Sequence, residues 1–296
     1  MAEIRSSDTP AAPAGLRAGL YIVATPIGNL ADITRRAAET LKAVDLIACE
    51  DTRVTAKLLN ALLIKKPMIA YHEHNAAGQR PRILEKIAAG QAVALVSDAG
   101  TPLISDPGYK LVADVAEAGH YVTTLPGPSA VTAALTLAGL PTDRFLFLGF
   151  APGKSKARHD WFAAEATTQA TLVYYESAKR LAASLKDAAA ALGPRPAAVC
   201  REVSKRFEEV VRGDLAELAG AYAESGPPKG EVVVVIAPPE KTQASDATAI
   251  ESDRLLKAAL QHMSVKSAAA FVAQVTGERK NLLYKQALAL TSESGE

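Results

Sequence analysis

Apolar runs alternate with helical stretches along the first half of the chain. Pro107 is placed to open the first turn of one helix, and Asp32 to cap another. Mainly apolar strands separated by helices are typical of a parallel sheet covered on both faces. The pattern therefore predicts an α/β fold. The predicted strands are 20–24, 45–49, 92–96 and 121–125, and the predicted helices are 32–42, 54–62, 79–89 and 107–119.

The second half of the chain begins with a further set of predicted strands and ends in predicted helices. Strands are predicted at 145–149, 171–175, 197–200 and 231–236, and a polar linker at 241–249. The helices that follow resemble a helix-turn-helix, with six basic and three acidic residues between 251 and 290. The predicted organisation is a disordered arm at 1–17, α/β domains at 18–127 and 128–240, and a small helical domain at 250–290.

Composition narrows the class of protein. The chain has 296 residues, of which 49% are hydrophobic and 22% charged, which is enough for two compact domains. A net charge of +1 means that a nucleic acid would meet a local patch rather than the whole surface. The sequence has two cysteines and shows no zinc-site spacing, no signal peptide and no apolar run of membrane length. These features predict a cytoplasmic enzyme without a metal, with reduced thiols at Cys49 and Cys200.

Three turns that follow predicted strands are the main candidates for a ligand site. They are residues 25–29, 97–108 and 126–130. Ligands of open α/β sheets bind beyond the carboxyl ends of the strands, so the three turns are expected to line one cleft. Each turn taken singly is also explained as an ordinary strand-to-helix connection, with Ser129 as a helix cap. No Gly-x-Gly-x-x-Gly or P-loop sequence is present, which argues against a phosphate-cradling nucleotide site.

Titratable and basic residues give weaker indications. The loop 71–75 contains two histidines, and either a mobile polar loop or an acid–base or RNA-contacting role explains it better than a metal site. Glu176 follows a predicted strand, as do Asp51 and Arg53, and a substrate contact and a structural ion pair explain them equally well. The basic residues that are candidates for RNA binding are Arg53, Lys154, Lys156, Arg158, Lys266, Arg279 and Lys280.

Taken together, the motifs resemble a known family. The segments 21–30, 49–53, 71–75, 97–102 and 125–130, in this order, are similar to those of the small-subunit ribosomal RNA 2′-O-methyltransferases of the tetrapyrrole-methylase superfamily. The resemblance extends from about residue 16 to 290. It implies two α/β domains of the class III S-adenosylmethionine (AdoMet) methyltransferase type with a small helical C-terminal tail. It further implies a homodimer that methylates the ribose 2′-oxygen of a decoding-centre cytidine in 16S rRNA of the small ribosomal subunit.

The resemblance also implies which residues bind AdoMet, with Lys229 and Gly230 as weaker candidates. The stronger candidates are Pro26, Ile27, Asp98, Ala99, Gly100, Thr101, Pro102, Ser105, Ser129, Ala130 and Tyr175.

The general base stays unassigned. In such a transfer the protein mainly aligns the acceptor oxygen with the methyl group, while a base assists the ribose hydroxyl. The sequence does not choose among the candidates Glu50, Asp51, His72, Glu73, His74, Glu176 and Glu202.

Two other functions compete with RNA methylation. One is C-methylation of a corrin or porphyrin with the same fold and cofactor, which needs neither the basic clusters nor the helical tail. The other is an RNA-binding protein that only senses AdoMet, against which the intact set of strand-end turns argues.

Overall fold

The computed structural model describes residues 15–240 and 244–293. One compact unit ends at Pro238, and a second begins at Pro239. The first unit contains two five-stranded sheets with helices on their faces, so the predicted α/β class is confirmed.

The first sheet is entirely parallel, with the strand order β3-β2-β4-β1-β5. Apolar cores lie on both of its faces, one including Leu41 and Leu59 and the other including Ile83 and Leu111. Burial of each such side chain contributes roughly 1.5–3 kcal/mol to the free energy that stabilises the folded state. Its elements are β1 (Gly19–Val23), α1 (Arg35–Ala43), β2 (Leu46–Cys49), α2 (Thr52–Ala61), β3 (Met68–Ala70), α3 (Ala76–Ala88), β4 (Ala92–Val96), α4 (Tyr109–Glu117) and β5 (Tyr121–Leu125).

The second sheet is mixed, with the strand order β6-β7-β10-β8-β9. Strands β6 and β7 are parallel, and the three remaining pairings are antiparallel. It follows that β6, β7 and β8 all end at one edge of the sheet, where β10 begins. The elements are α5 (Ala130–Ala138), β6 (Phe145–Phe150), α6 (Ser155–Ala163), β7 (Thr171–Ser177), α7 (Leu181–Leu192), β8 (Pro196–Arg201), β9 (Glu209–Asp214), α8 (Leu215–Ser225) and β10 (Glu231–Ile236).

The second unit is helical in its described part. It comprises α9 (Ala244–Leu260), α10 (Val265–Thr276) and α11 (Lys280–Glu293), which pack around Leu256, Val272 and Leu283. The Ser264 hydroxyl accepts a hydrogen bond from the Ser267 amide at the start of α10, and Gly277, with φ at +75°, ends that helix.

Several predicted boundaries are wrong. Helix α1 is capped by Thr34, while Asp32 lies in a preceding 3-10 turn. Pro107 precedes α4 rather than opening it, because Gly108 takes φ of +143° under Leu95. The predicted linker 241–249 is helical from Ala244 onward, and 241–243 fall outside the described residues.

The short strand β3 and the edge strand β9 were not predicted, because the apolar run of β3 is only three residues long and β9 has only two adjacent apolar residues.

Candidate functional site

The three strand-end turns are joined by hydrogen bonds. Strands β4, β1 and β5 are neighbours, so their carboxyl ends lie side by side. Backbone bonds run both ways between Thr25 and Gly100, with N–O distances of 2.8 and 3.0 Å. The Thr101 hydroxyl donates to the Pro128 carbonyl at 3.0 Å. The expectation that these turns converge agrees with this geometry.

The turn after β4 holds an unusual backbone conformation. Gly100 has φ of +81°, and the non-glycine residues Leu103 and Ser105 have φ of +75° and +66°. A left-handed conformation costs an ordinary side chain of order 1–3 kcal/mol, and such residues cluster at ligand sites. Gly100 and Ser105 of this turn line the cavity described next.

The turns form one wall of a cavity of about 590 Å³ between the two sheets. Most of the residues that the sequence offers for AdoMet line it, whereas Pro26, Pro102 and the weaker candidate Lys229 do not. The nine that do are Ile27, Asp98, Ala99, Gly100, Thr101, Ser105, Ser129, Ala130 and Tyr175, and Gly230 lines it as well.

The sequence prediction missed most of the opposite wall. This wall comes from the edge where β6, β7 and β8 end and β10 begins, an arrangement that only the mixed strand order creates. The one signal in the sequence is the i,i+4 spacing of Glu176 and Arg180, which are ion-paired at 2.8 Å. The missed residues of the second wall are Phe150, Ser177, Ala178, Arg180, Val203, Glu231, Val232 and Val233. Ile104 and Asp106 of the first wall belong to the predicted turn 97–108, although neither was singled out as a cofactor contact.

Carboxylates concentrate at the first wall. Burial raises the pKa of Asp98 and of Asp106, and each is raised further by a neighbouring carboxylate. Burial, followed by the charges of Asp106 and Asp98, also raises the pKa of Glu50. Hydrogen bonds from Arg53 lower the pKa of Asp51 to about 2. This side of the cavity therefore suits a cationic ligand group.

Of the seven candidates for the general base, Glu176 lines the cavity and the other six do not. Asp51 is paired with Arg53 at 2.6 Å, and its amide donates to Asp98. His72, Glu73 and His74 lie on the loop after β3, with the two imidazole centroids 6.1 Å apart. Within the described part of the chain, no three acidic, histidine or cysteine side chains are arranged to hold a metal ion.

Glu202 belongs to a structural contact that we call the Lys205 strap, formed by Gly28, Glu202, Lys205 and Glu231. The Lys205 ammonium lies 2.8 Å from a Glu202 oxygen and 2.9 Å from a Glu231 oxygen, and lowers the pKa of Glu202. A Cβ at Gly28 would come within 2.4 Å of the Lys205 side chain. The strap thus connects the turn after β1 to the second sheet beside the cavity.

The candidates for RNA contact occupy different environments. Arg158 is only 3% exposed and binds Asp187 and the Pro152 carbonyl. These contacts occupy the guanidinium of Arg158 and stabilise the loop before α6, so its burial does not favour the predicted RNA contact. The remaining candidates are exposed, namely Arg53, Lys154, Lys156, Lys266, Arg279 and Lys280.

The cavity fits AdoMet in size and chemistry. Its volume of about 590 Å³ lies within the range of roughly 300–1,000 Å³ for small-molecule sites. Ile27, Ala130 and Val233 offer apolar surface for an adenine ring, and Asp98 and Asp106 offer negative charge for a sulfonium. No helix in the described ranges combines the length and apolarity that crossing a membrane requires.

Comparisons with known proteins agree with this geometry. Residues 19–219 match the family model of tetrapyrrole (corrin/porphyrin) methylases, and residues 246–291 match the model described as the RsmI C-terminal HTH domain. The solved uroporphyrin-III C-methyltransferase from Thermus thermophilus, complexed with S-adenosyl homocysteine, is similar in fold, with a TM-score of 0.51 and 19% identity over 73% of this chain and 96% of that one.

Two curated relatives extend over nearly the whole chain. Both bear the name ribosomal RNA small subunit methyltransferase I. The protein of Mesorhizobium japonicum is 48% identical over 99% of this chain and 98% of its own, and that of Escherichia coli O157:H7 is 48% identical over 91% and 94%. The match to methylases confirms AdoMet as the cofactor. The chain therefore belongs to the ribosomal RNA small subunit methyltransferase I family, within the tetrapyrrole methylases.

Proposed function

We propose that this protein transfers the methyl group of AdoMet to the ribose 2′-oxygen of a decoding-centre cytidine in 16S rRNA of the small ribosomal subunit. The observation that carries the proposal is the 48% identity to a ribosomal RNA small subunit methyltransferase I over 294 residues. The exposed basic residues of α10 and α11 support an RNA substrate, since a small tetrapyrrole needs no such unit.

The bound cofactor supplies an activated methyl group on a sulfonium, and the chain supplies position and charge. Hydrogen bonds fix the turns after β1, β4 and β5 to one another. Asp98 and Asp106 would offer negative charge to the cationic sulfonium. The cavity walls would position the ribose oxygen for transfer of the methyl group. We further propose that the enzyme acts in the cytoplasm as a homodimer.

The proposal is tested with purified protein, methyl-labelled AdoMet and small subunits from a strain that lacks the modification. We expect label at one cytidine of the 16S rRNA. The phosphodiester bond on its 3′ side should resist alkali, because a methylated 2′-oxygen cannot attack the phosphate. Parallel reactions contain free 16S rRNA or a reduced porphyrin. Label in the porphyrin alone, on a base, or nowhere contradicts the proposal.

The cofactor site is tested separately by Asp98→Ala. Asp98 lines the cavity beside the strained turn, so we expect AdoMet affinity in calorimetry to fall at least about tenfold. Asp143→Ala is the matched control, because Asp143 is exposed and lies outside the cavity. Equal affinity of the two variants would remove the turn after β4 from the cofactor site.

A further inference from the structure

Phe150 is an exposed aromatic residue at the cavity wall. It is the last residue of β6 and is 64% exposed, although a phenyl ring in water is unfavourable. One edge contact, with Tyr175 at a centroid distance of 5.0 Å, orients the ring. Phe145 on the same strand is also exposed but does not line the cavity. Phe150 therefore presents a flat apolar face to whatever enters.

Arg180 is the only cationic residue among those that line the cavity in the described part of the chain. Its Nε donates to the Ser177 hydroxyl at 3.0 Å, and its Nη2 lies 2.8 Å from a Glu176 oxygen. Guanidinium has five N–H donors, so these contacts leave donors on Nη1 for a ligand. The side chain is 37% exposed and is held in one orientation.

Glu176 is the residue that fixes Arg180. Its side chain is fully buried, and one carboxylate oxygen accepts from the Ser177 amide at 2.7 Å as well as from Arg180. The other oxygen is buried without a hydrogen-bond partner in the described structure. A buried carboxylate with one charged partner binds that partner strongly, so Glu176 acts as a positioning residue for the guanidinium.

The two features lie at one corner of the cleft. Phe150 is paired with Tyr175 in the register of β6 and β7, and Arg180 follows β7 by three residues. A Cβ at Gly153, three residues after Phe150, would lie 3.1 Å from Arg180 Nη1. The chain just past Phe150 therefore runs beside the free donors of Arg180.

We propose that Phe150 and Arg180 form the subsite for the acceptor nucleotide, with the ring stacking on the base and the guanidinium binding an adjacent phosphate. This inference rests on the proposed function. Aromatic faces and arginine forks are the chemistry by which proteins hold an unstacked RNA nucleotide. A nucleotide held there is outside the base stack, as methylation of its ribose in a closed cleft requires. The first wall, with Asp98 and Asp106, then remains available to bind the sulfonium of AdoMet.

The test measures two quantities for each variant: the KM for unmodified small subunits at saturating AdoMet, and the AdoMet Kd by calorimetry. For Phe150→Ala we expect KM to rise at least about tenfold, with the AdoMet Kd within about twofold of the parent. Phe150→Tyr should restore KM, because it keeps the stacking face. Phe145→Ala, on the same strand but outside the cavity, should match the parent.

Arg180→Lys keeps the charge beside Glu176 but loses the fork, so we expect KM to rise about fivefold or more while its salt dependence stays nearly unchanged. Lys179→Met removes a neighbouring exposed charge outside the cavity and serves as the control. Thermal unfolding and light scattering should show the same fold and oligomeric state for all variants.

Three results would overturn the subsite. A parallel rise of the AdoMet Kd would assign these side chains to the cofactor, with Arg180 on its carboxylate. An unchanged KM in both Phe150→Ala and Arg180→Lys would remove them from recognition. A change of oligomeric state would assign Phe150 to an interface. Failure of the proposed function is distinct, since the parent enzyme would then methylate no RNA.

Discussion

At the scale of single residues, charge decides what each wall of the cavity binds. Burial raises the pKa of Asp98 and of Asp106, so both carboxyls take up protons at a higher pH than free aspartate does. Arg180, on the other wall of the cavity, is held by a buried carboxylate. One cleft therefore offers a cation-binding side and an anion-binding side.

The first prediction concerns the pH dependence of AdoMet binding. As the pH falls through the raised pKa values, which lie above 3.8, both carboxyls become neutral and the sulfonium loses its partners. We expect affinity in calorimetry to decrease as the pH is lowered from neutral into the range where these two carboxyls take up protons. Asp106→Asn should flatten this profile, whereas Asp143→Asn should leave it unchanged. A flat profile in the parent enzyme would show that these carboxyls do not face the sulfonium.

The same two groups affect stability with the opposite sign. Because their folded-state pKa values are raised, the native protein binds more protons than the unfolded chain between the unfolded and folded pKa values. Their contribution to the free energy of unfolding therefore increases as the pH falls through that window. Cofactor affinity and this part of stability change in opposite directions with pH.

At the scale of elements, the local hydrophobic pattern predicted those strands and helices that depend only on residues close together in the sequence. Strands such as 92–96 are apolar throughout, so their burial and parallel pairing followed from the sequence alone. The second wall of the cavity did not, because Glu231, Phe150 and Arg180 come to the same wall only through the order β6-β7-β10-β8-β9. Strand order depends on contacts between distant segments, which periodicity does not encode.

Arg158 illustrates the same limit for a single helix. Within a basic run it resembles its exposed neighbours, and only the fold brings Asp187 of α7 to within 2.6 Å. Lys156, one half-turn away, points to solvent and pairs with Asp160 at 2.7 Å.

The second prediction follows from this difference. Arg158→Met leaves Asp187 without its partner in a mostly buried position, so we expect the free energy of unfolding in urea to fall by about 3 kcal/mol. Lys156→Met breaks an exposed pair and should cost less than about 1 kcal/mol. Similar losses for both variants would contradict the structural role assigned to Arg158.

At the scale of the whole molecule, our proposal gives the cofactor site to the first unit and a supporting RNA contact to the helical unit. The cavity lies wholly within the unit that ends at Pro238, and the helical unit carries exposed Lys266, Arg279 and Lys280. Family membership explains the pairing of the two units, since one family model matches each.

The third prediction tests that division. The triple variant Lys266→Ser, Arg279→Ser, Lys280→Ser should bind small subunits more weakly at physiological salt. Its log–log salt slope should be shallower by about one for each side chain that contacts a phosphate. The AdoMet Kd should not change. As a control, Lys57→Ser, Lys65→Ser and Lys66→Ser remove three basic charges from the first unit. An equal loss in the control would mean that net charge alone determines affinity.

The Lys205 strap has a consequence for how the cleft opens. It joins the two walls at the end of β8, three strand spacings, or roughly 14 Å, from the end of β6. The Phe150 corner is therefore the end of the cleft farther from this link between the walls. On the proposed function, we expect the RNA nucleotide to enter and leave the cleft at that corner.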